Sequence, residues 1–132
     1  MSDEAADRLV GTWRLVSARF EPDGAAAFDM YGPDPDGRLV VGPVHLAVII
    51  TMPGSAGAAP NLIAYSGRYR VEAGRRLVTA VDLASMPAWV GTEQAREIAI
   101  EGDHLLLRTP VGPHPASPGK PGSGILTLRR EA

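Results

Sequence analysis

After Gly11 the chain alternates, with Trp13, Leu15 and Ser17 on one face and Thr12, Arg14, Val16 and Ala18 on the other. That two-residue period is the mark of a strand, since successive side chains of extended backbone point to opposite sides. The cleanest alternation runs through residues 62–71, where Tyr65, Gly67, Tyr69 and Val71 oppose Ala64, Ser66, Arg68 and Arg70. Residues 38–41 and 45–52 read as a hairpin about Gly42-Pro43, but their apolar runs are too continuous for an in-and-out assignment. Some of their apolar side chains are expected under a loop or in a homodimer interface, with Leu46, Val48 and Ile50 as the outward face. Segments 77–84, 94–101, 104–109 and 124–130 bring the count to about eight strands. Turn signals punctuate them at Glu21-Pro22-Asp23-Gly24, Pro33-Asp34-Pro35-Asp36-Gly37, Glu72-Ala73-Gly74-Arg75 and Gly102-Asp103. Residues 25–32 carry no decisive pattern. Ser2 or Asp3 can cap a short helix running to Asp7 or Arg8.

If each strand pairs with its sequence neighbour, the last is left facing the first, and joining them removes both free edges. The expected fold is all-β: a closed antiparallel up-and-down barrel with a short N-terminal helix. About eight strands enclose either a filled core or one small ligand cavity. A length of 132 residues makes this a single domain, 1–132. Residues 53–60 and 110–123, rich in small residues or in Pro and Gly, are expected to be mobile loops.

Composition narrows the function. A net charge of -2 and no basic cluster interleaved with aromatics argue against a nucleic-acid partner. With no cysteine there is no disulfide framework, thiolate nucleophile or Cys-based zinc site. His45, His104 and His114 are too scattered for a metal centre. No metal or cofactor is expected. The acidic N-terminus and the absence of an apolar run of roughly 20 residues suggest no leader or membrane span and a cytoplasmic protein. Gly119-Lys120-Pro121-Gly122-Ser123-Gly124 lacks the ending of a phosphate-binding loop.

With Trp13 inward, the same face of the first strand presents Leu15, Ser17 and Arg19. Other strands add Tyr65, Tyr69, Gln94, Arg96, Ile98 and Ile100, and Trp89 stands in a Pro-containing corner at the rim. Such a lining suits a mostly apolar ligand carrying a carbonyl, carboxylate or phenol. The candidate ligand-binding residues are Leu15, Ser17, Tyr65, Tyr69, Trp89, Gln94, Arg96 and Ile98. An inward guanidinium needs acceptors. Arg96 either finds them in Glu93, Asp82 or a carbonyl, lies outside the barrel, or serves the ligand. A small hydrophobic or amphipathic molecule is the expected partner. The alternative is a cofactor-independent cyclase or isomerase, in which Arg96, Tyr69 or a cavity-facing His45 polarises a carbonyl or moves a proton.

The ordered set Leu9-Val10-Gly11-Thr12-Trp13-Arg14-Leu15-Val16-Ser17, Tyr65-Ser66-Gly67-Arg68-Tyr69, Pro87-Ala88-Trp89-Val90-Gly91-Thr92-Glu93-Gln94-Ala95-Arg96, Gly102-Asp103-His104-Leu105 and the terminal Leu126-Thr127-Leu128-Arg129-Arg130 resembles the bacterial and fungal lipocalin-like domain family. The resemblance covers almost the whole chain. It implies a lipocalin-type barrel end in which Trp13 packs under an arginine of the last strand, Arg129 or Arg130. It also implies settings that include natural-product biosynthesis, the expected context of the ligand or of the cyclase substrate. Members often carry a His pair on the strand before the Pro-x-Trp corner. This chain has Thr79 and Ala80 there, so no role resting on those imidazoles carries over.

Overall fold

A computed structural model describes residues 4–31, 34–52, 61–112 and 119–131. The expected capping residues Ser2 and Asp3, His114, the 53–60 loop and residues 113–118 of the 110–123 loop lie outside the described residues. A short helix, α1 (Glu4–Leu9), leads into β1 (Gly11–Pro22). Then follow β2 (Phe28–Asp29), β3 (Asp36–Val41), β4 (His45–Met52), β5 (Asn61–Glu72), β6 (Arg76–Ala84), a 3-10 turn (Pro87–Trp89), β7 (Glu93–Glu101), β8 (His104–Arg108) and β9 (Gly122–Arg130). From β3 to β9 every strand pairs antiparallel with its sequence neighbour. β1 takes β3 on one side, through Gly11↔Val41 to Arg14↔Arg38, and β9 on the other, from Trp13↔Arg130 to Pro22↔Gly122. The sheet is therefore a closed barrel with no long free edge. The two-residue β2 extends the β3 side of β1, with Phe20 and Phe28 edge to face at 5.4 Å.

One end is sealed. Trp13 is fully buried, donates from Nε1 to the Leu9 carbonyl at 2.9 Å and carries the Arg130 guanidinium 4.1 Å above its ring. Arg130 also donates to the carbonyls of Arg8 and Val10, so one side chain ties β9 to the helix and closes the ring. Of the two arginines named from the resemblance, Arg130 takes this position; Arg129 points outward to Asp103. Trp13 shares one hydrophobic core with Leu9, Leu15, Leu39, Val41, Leu46, Leu105, Leu107 and Leu128.

β1 is broken in phase by a bulge between Leu15 and Ser17. Trp13 and Leu15 face inward, but after the extra residue the inward set becomes Ala18, Phe20 and Pro22, all buried, while Val16 is 59% exposed. This corrects the unbroken alternation: Ser17 and Arg19 turn out of the barrel, and Arg19 pairs with Asp29 on the surface at 2.7 Å. β4 is corrected too. Leu46, Val48 and Ile50 pair with Gly67, Tyr65 and Ile63 of β5 and are buried inside, so they are not an outer dimer face. The outward residues are His45, Ala47, Ile49 and Thr51.

On the outer wall, Glu131 accepts from Arg38 at 2.7 Å and from Arg14 at 3.3 Å, and Arg14 also grips Asp36 at 2.7 Å. The Arg38 hydrogen bond holds the Glu131 carboxyl below the usual carboxylate range, and the Arg14 hydrogen bond does the same for Asp36. A carboxylate with its folded pKa depressed stabilises the fold above its unfolded pKa, and that gain fades as pH falls through the folded value. Melting temperature is therefore expected to drop on acidification below about pH 4, and Glu131→Gln should flatten that acid limb. Because the groups are exposed, the effect is small and should shrink further with added salt. Thermal melts across a pH series, with and without salt, check it.

Candidate functional site

The end opposite α1 carries the polar interior. Inward-facing Ile63 and Tyr65 of β5 and Gln94 and Arg96 of β7 are only half-buried, so solvent reaches the inside here. Register fixes their direction. Gln94 pairs with Thr79, and Arg96 with Leu77, both buried inward residues of β6. Trp89, at the end of the 3-10 turn, meets Tyr65 edge to face at 6.0 Å and 89°, and the Thr92 hydroxyl donates to its carbonyl at 2.6 Å. The corner is thus held by its own hydrogen bonds, and the indole forms part of the rim.

Arg96 donates from Nη1 to the Ala95 carbonyl at 2.7 Å and from Nη2 to Gln94 Oε1 at 3.0 Å. Both acceptors are neutral. Glu93, an expected partner, is instead bound by Arg70, which reaches across β6 at 2.8 Å and covers Val78 beneath. Among the described residues no carboxylate pairs with Arg96.

Two phenols share its field. Burial pushes the Tyr65 hydroxyl above the ordinary phenol range, and the Arg96 charge draws it partway back. The same two causes, in the same order, act on Tyr31. The alternation gave no hint of Tyr31, which lies in the segment left without a pattern. It is placed by long-range contacts: the Met30 N–H donates to the Ala18 carbonyl at 2.9 Å, and Met30 lies against Gly124, where the missing Cβ leaves room for its sulfur. Thr79, 2% exposed inside the wall, is a second polar lining residue that the alternation did not single out as a candidate.

The other expected site residues lie elsewhere. Tyr69 faces inward but at the sealed end, where its hydroxyl donates to the Gly42 carbonyl at 2.7 Å; burial raises its pKa and the negative charge of Asp7 adds to the rise. It is therefore not beside Arg96 at the open end. His45 points outward and does not face a cavity. Ser17 lies on the outer wall. Leu15 and Ile98 belong to the packed core. Tyr65, Trp89, Gln94 and Arg96 are the part of the expected set that the fold gathers, joined by Tyr31. No group of three or more potential metal ligands occurs among the described residues, and none of the described helices is long and apolar enough to cross a membrane.

Residues 50–130 match the family model of the lipocalin-like domain. The chain belongs to the lipocalin-like domain family. The matched span contains β5 to β9 and with them Tyr65, Trp89, Gln94 and Arg96, so most of the open end of this lipocalin-like barrel falls within it. A curated relative, the 4'-hydroxy-3'-methoxypropiophenone carrier protein ppsC of Aspergillus oryzae (strain ATCC 42149 / RIB 40), is 39% identical over 61 residues, which is 41% of this chain and 55% of the relative. The chain thus spans about half the length of that protein.

Proposed function

We propose that the barrel binds a small, mostly apolar molecule carrying an oxygen handle and acts as its carrier in a biosynthetic route to a secondary metabolite. The observation that carries this reading is Arg96: an inward guanidinium at the open end of a barrel whose core is apolar, bonded only to neutral acceptors among the described residues. An arginine drawn partly out of water and serving structure alone is normally paired with a carboxylate, since lost hydration of the charge has to be made good. Here its side chain bonds to Gln94, and its charge acts on the Tyr65 and Tyr31 hydroxyls, with Tyr65 in turn against the Trp89 ring. Apolar walls with a few convergent polar groups are the usual anatomy of a small-molecule site. The relative whose printed name is that of an aryl ketone carrier supports the same class of ligand, aromatic with a carbonyl and a hydroxyl.

Titration with aryl ketones tests it. Trp13 is sealed away and Trp89 stands at the rim, so ligand binding should quench the Trp89 emission and leave that of Trp13. Arg96→Ala should weaken binding roughly 10- to 100-fold, the worth of a charge-assisted hydrogen bond, without lowering the melting temperature by more than a few degrees. Native mass spectrometry of protein from its producer should show a co-purified small molecule. No quenching across the panel and no bound mass would remove the reading.

A further inference from the structure

β8 stops at Arg108, which pairs with Glu97, so Gln94–Arg96 of β7 have no β8 partner. Where the ladder ends, a cleft of about 390 Å³ opens on the outer wall, lined among others by Arg76, Arg96, Glu97, Arg108, Thr109 and Ser123. Arg96 is thus an inward residue that also lines a break in the barrel wall between β7 and β9.

We infer that the ligand is held as an oxyanion, with its oxygen on the Arg96 guanidinium at this break. The inference rests on the binding reading above and adds to it the charge state and orientation of the ligand. Three arginines meet at the cleft against one lining carboxylate, Glu97. Arg76 and Arg108 also touch Glu72 at 2.8 Å and Glu21 at 3.5 Å, while Arg96 has no such partner among the described residues. By contrast Arg14, Arg19, Arg38 and Arg70 on the outer wall each grip a carboxylate. The groups around Arg96 also present donors and few acceptors. Gln94 uses its oxygen on Arg96, which leaves its NH2 to donate, and the buried Tyr31 and Tyr65 hydroxyls stay protonated. A neutral carbonyl can use one or two such donors. An oxyanion uses several and gains the field of all three guanidinium groups.

The titratable or charged groups that face this site are Tyr31 from the segment after β2, Tyr65 from β5, Arg76 from β6, Glu97 from β7 and Arg108 from β8. Paired probes isolate the charge of the ligand, because shape and apolar contacts are nearly common to the two members of a pair. The first pair is 4'-hydroxy-3'-methoxypropiophenone and its 4'-methyl ether. The second is a 4-alkylbenzoate of similar size and its methyl ester. In each pair only the first member can carry the negative charge, and for the phenol the proton passes to buffer on binding.

Binding of each pair to the full chain is measured by calorimetry and by absorption at about pH 6 and about pH 8.5, either side of the ionisation of an acyl phenol, which lies well below that of tyrosine. The expected result is tenfold or greater preference for the ionisable member of each pair at the higher pH. Phenolate absorption should also appear on binding at the lower pH, where the free phenol is neutral. In Arg96→Gln the ionisable members should lose at least tenfold more affinity than the ether and the ester, and the phenolate band at the lower pH should shrink with them. Equal affinity within both pairs and no phenolate band would overturn the inference and leave the carrier reading standing. Failure of all probes to bind would overturn the carrier reading and this one with it. If Arg96→Gln does not fold, the wild-type comparison alone decides.

Discussion

Trp13→Ala is expected to cost about 3–5 kcal/mol, the range for large aromatic truncations in cores, and to leave a protein near the edge of stability, since a domain of this size has only about 5–15 kcal/mol in hand. The indole is fully buried and touches both the packed end and the closure of the ring. Its loss removes apolar burial, the hydrogen bond to the Leu9 carbonyl and the face on which the Arg130 guanidinium rests 4.1 Å away. Arg130 would keep its bonds to the carbonyls of Arg8 and Val10 but would hang over a void. Trp13→Phe separates the terms, because it retains most of the volume and loses the N–H donor; it should cost much less. Urea denaturation of the two variants, read by far-UV dichroism, checks the prediction, and a Trp13→Ala midpoint unchanged from wild type would mean that the sealed end does not hold the barrel together.

A second large loss is expected at Gly67, where the obstacle is space and not burial. A Cβ there would fall well inside contact distance of the Ala80 carbonyl oxygen and close to its carbon, in the stretch where β5 and β6 slip register between Ser66 and Gly67. A flexible side chain could swing away from the intruding methyl; a backbone carbonyl cannot do so without opening the ladder. Gly67→Ala should therefore destabilise by about 3 kcal/mol, at the upper end of what overpacking usually costs. The same step at half-buried Gly112, whose Cβ would lie 3.9 Å from its nearest neighbour, is the control and should change stability little. Equal midpoints for the two variants would show that the sheet yields at Gly67.

The strands were legible in the sequence because alternation is a local property, and β5, with Tyr65 and Tyr69 opposite Arg68 and Arg70, displays it without interruption. The side of the sheet on which a residue stands was less legible. A bulge adds one residue and reverses every later assignment on its strand, yet Val16, the residue displaced into solvent, is itself apolar. Nothing in the composition marks it, and Ser17 and Arg19 were read on the wrong face for that reason. β4 carried no phase of its own, and only its pairing with the well-patterned β5 shows that Leu46, Val48 and Ile50 are inside and His45 outside. Height along the barrel was not legible at all. Tyr69 and Arg96 both face inward, as the alternation indicates, but the placement that puts the first at the sealed end and the second at the open end depends on the tilt of the strands. Tyr31 escaped notice because the backbone that holds it is fixed by Ala18 and Gly124, far away in the chain.

Closing the ring through β1 and β9 has a kinetic consequence. The strands that complete the barrel are joined by contacts such as Arg14 to Glu131, 117 residues apart, and the entropy of bringing so distant segments together must be met before those contacts repay it. Folding should accordingly be slow for a domain of this length. Until the last strand docks, the newly made chain carries two bare edges, and that interval is when it is most exposed to pairing with its neighbours.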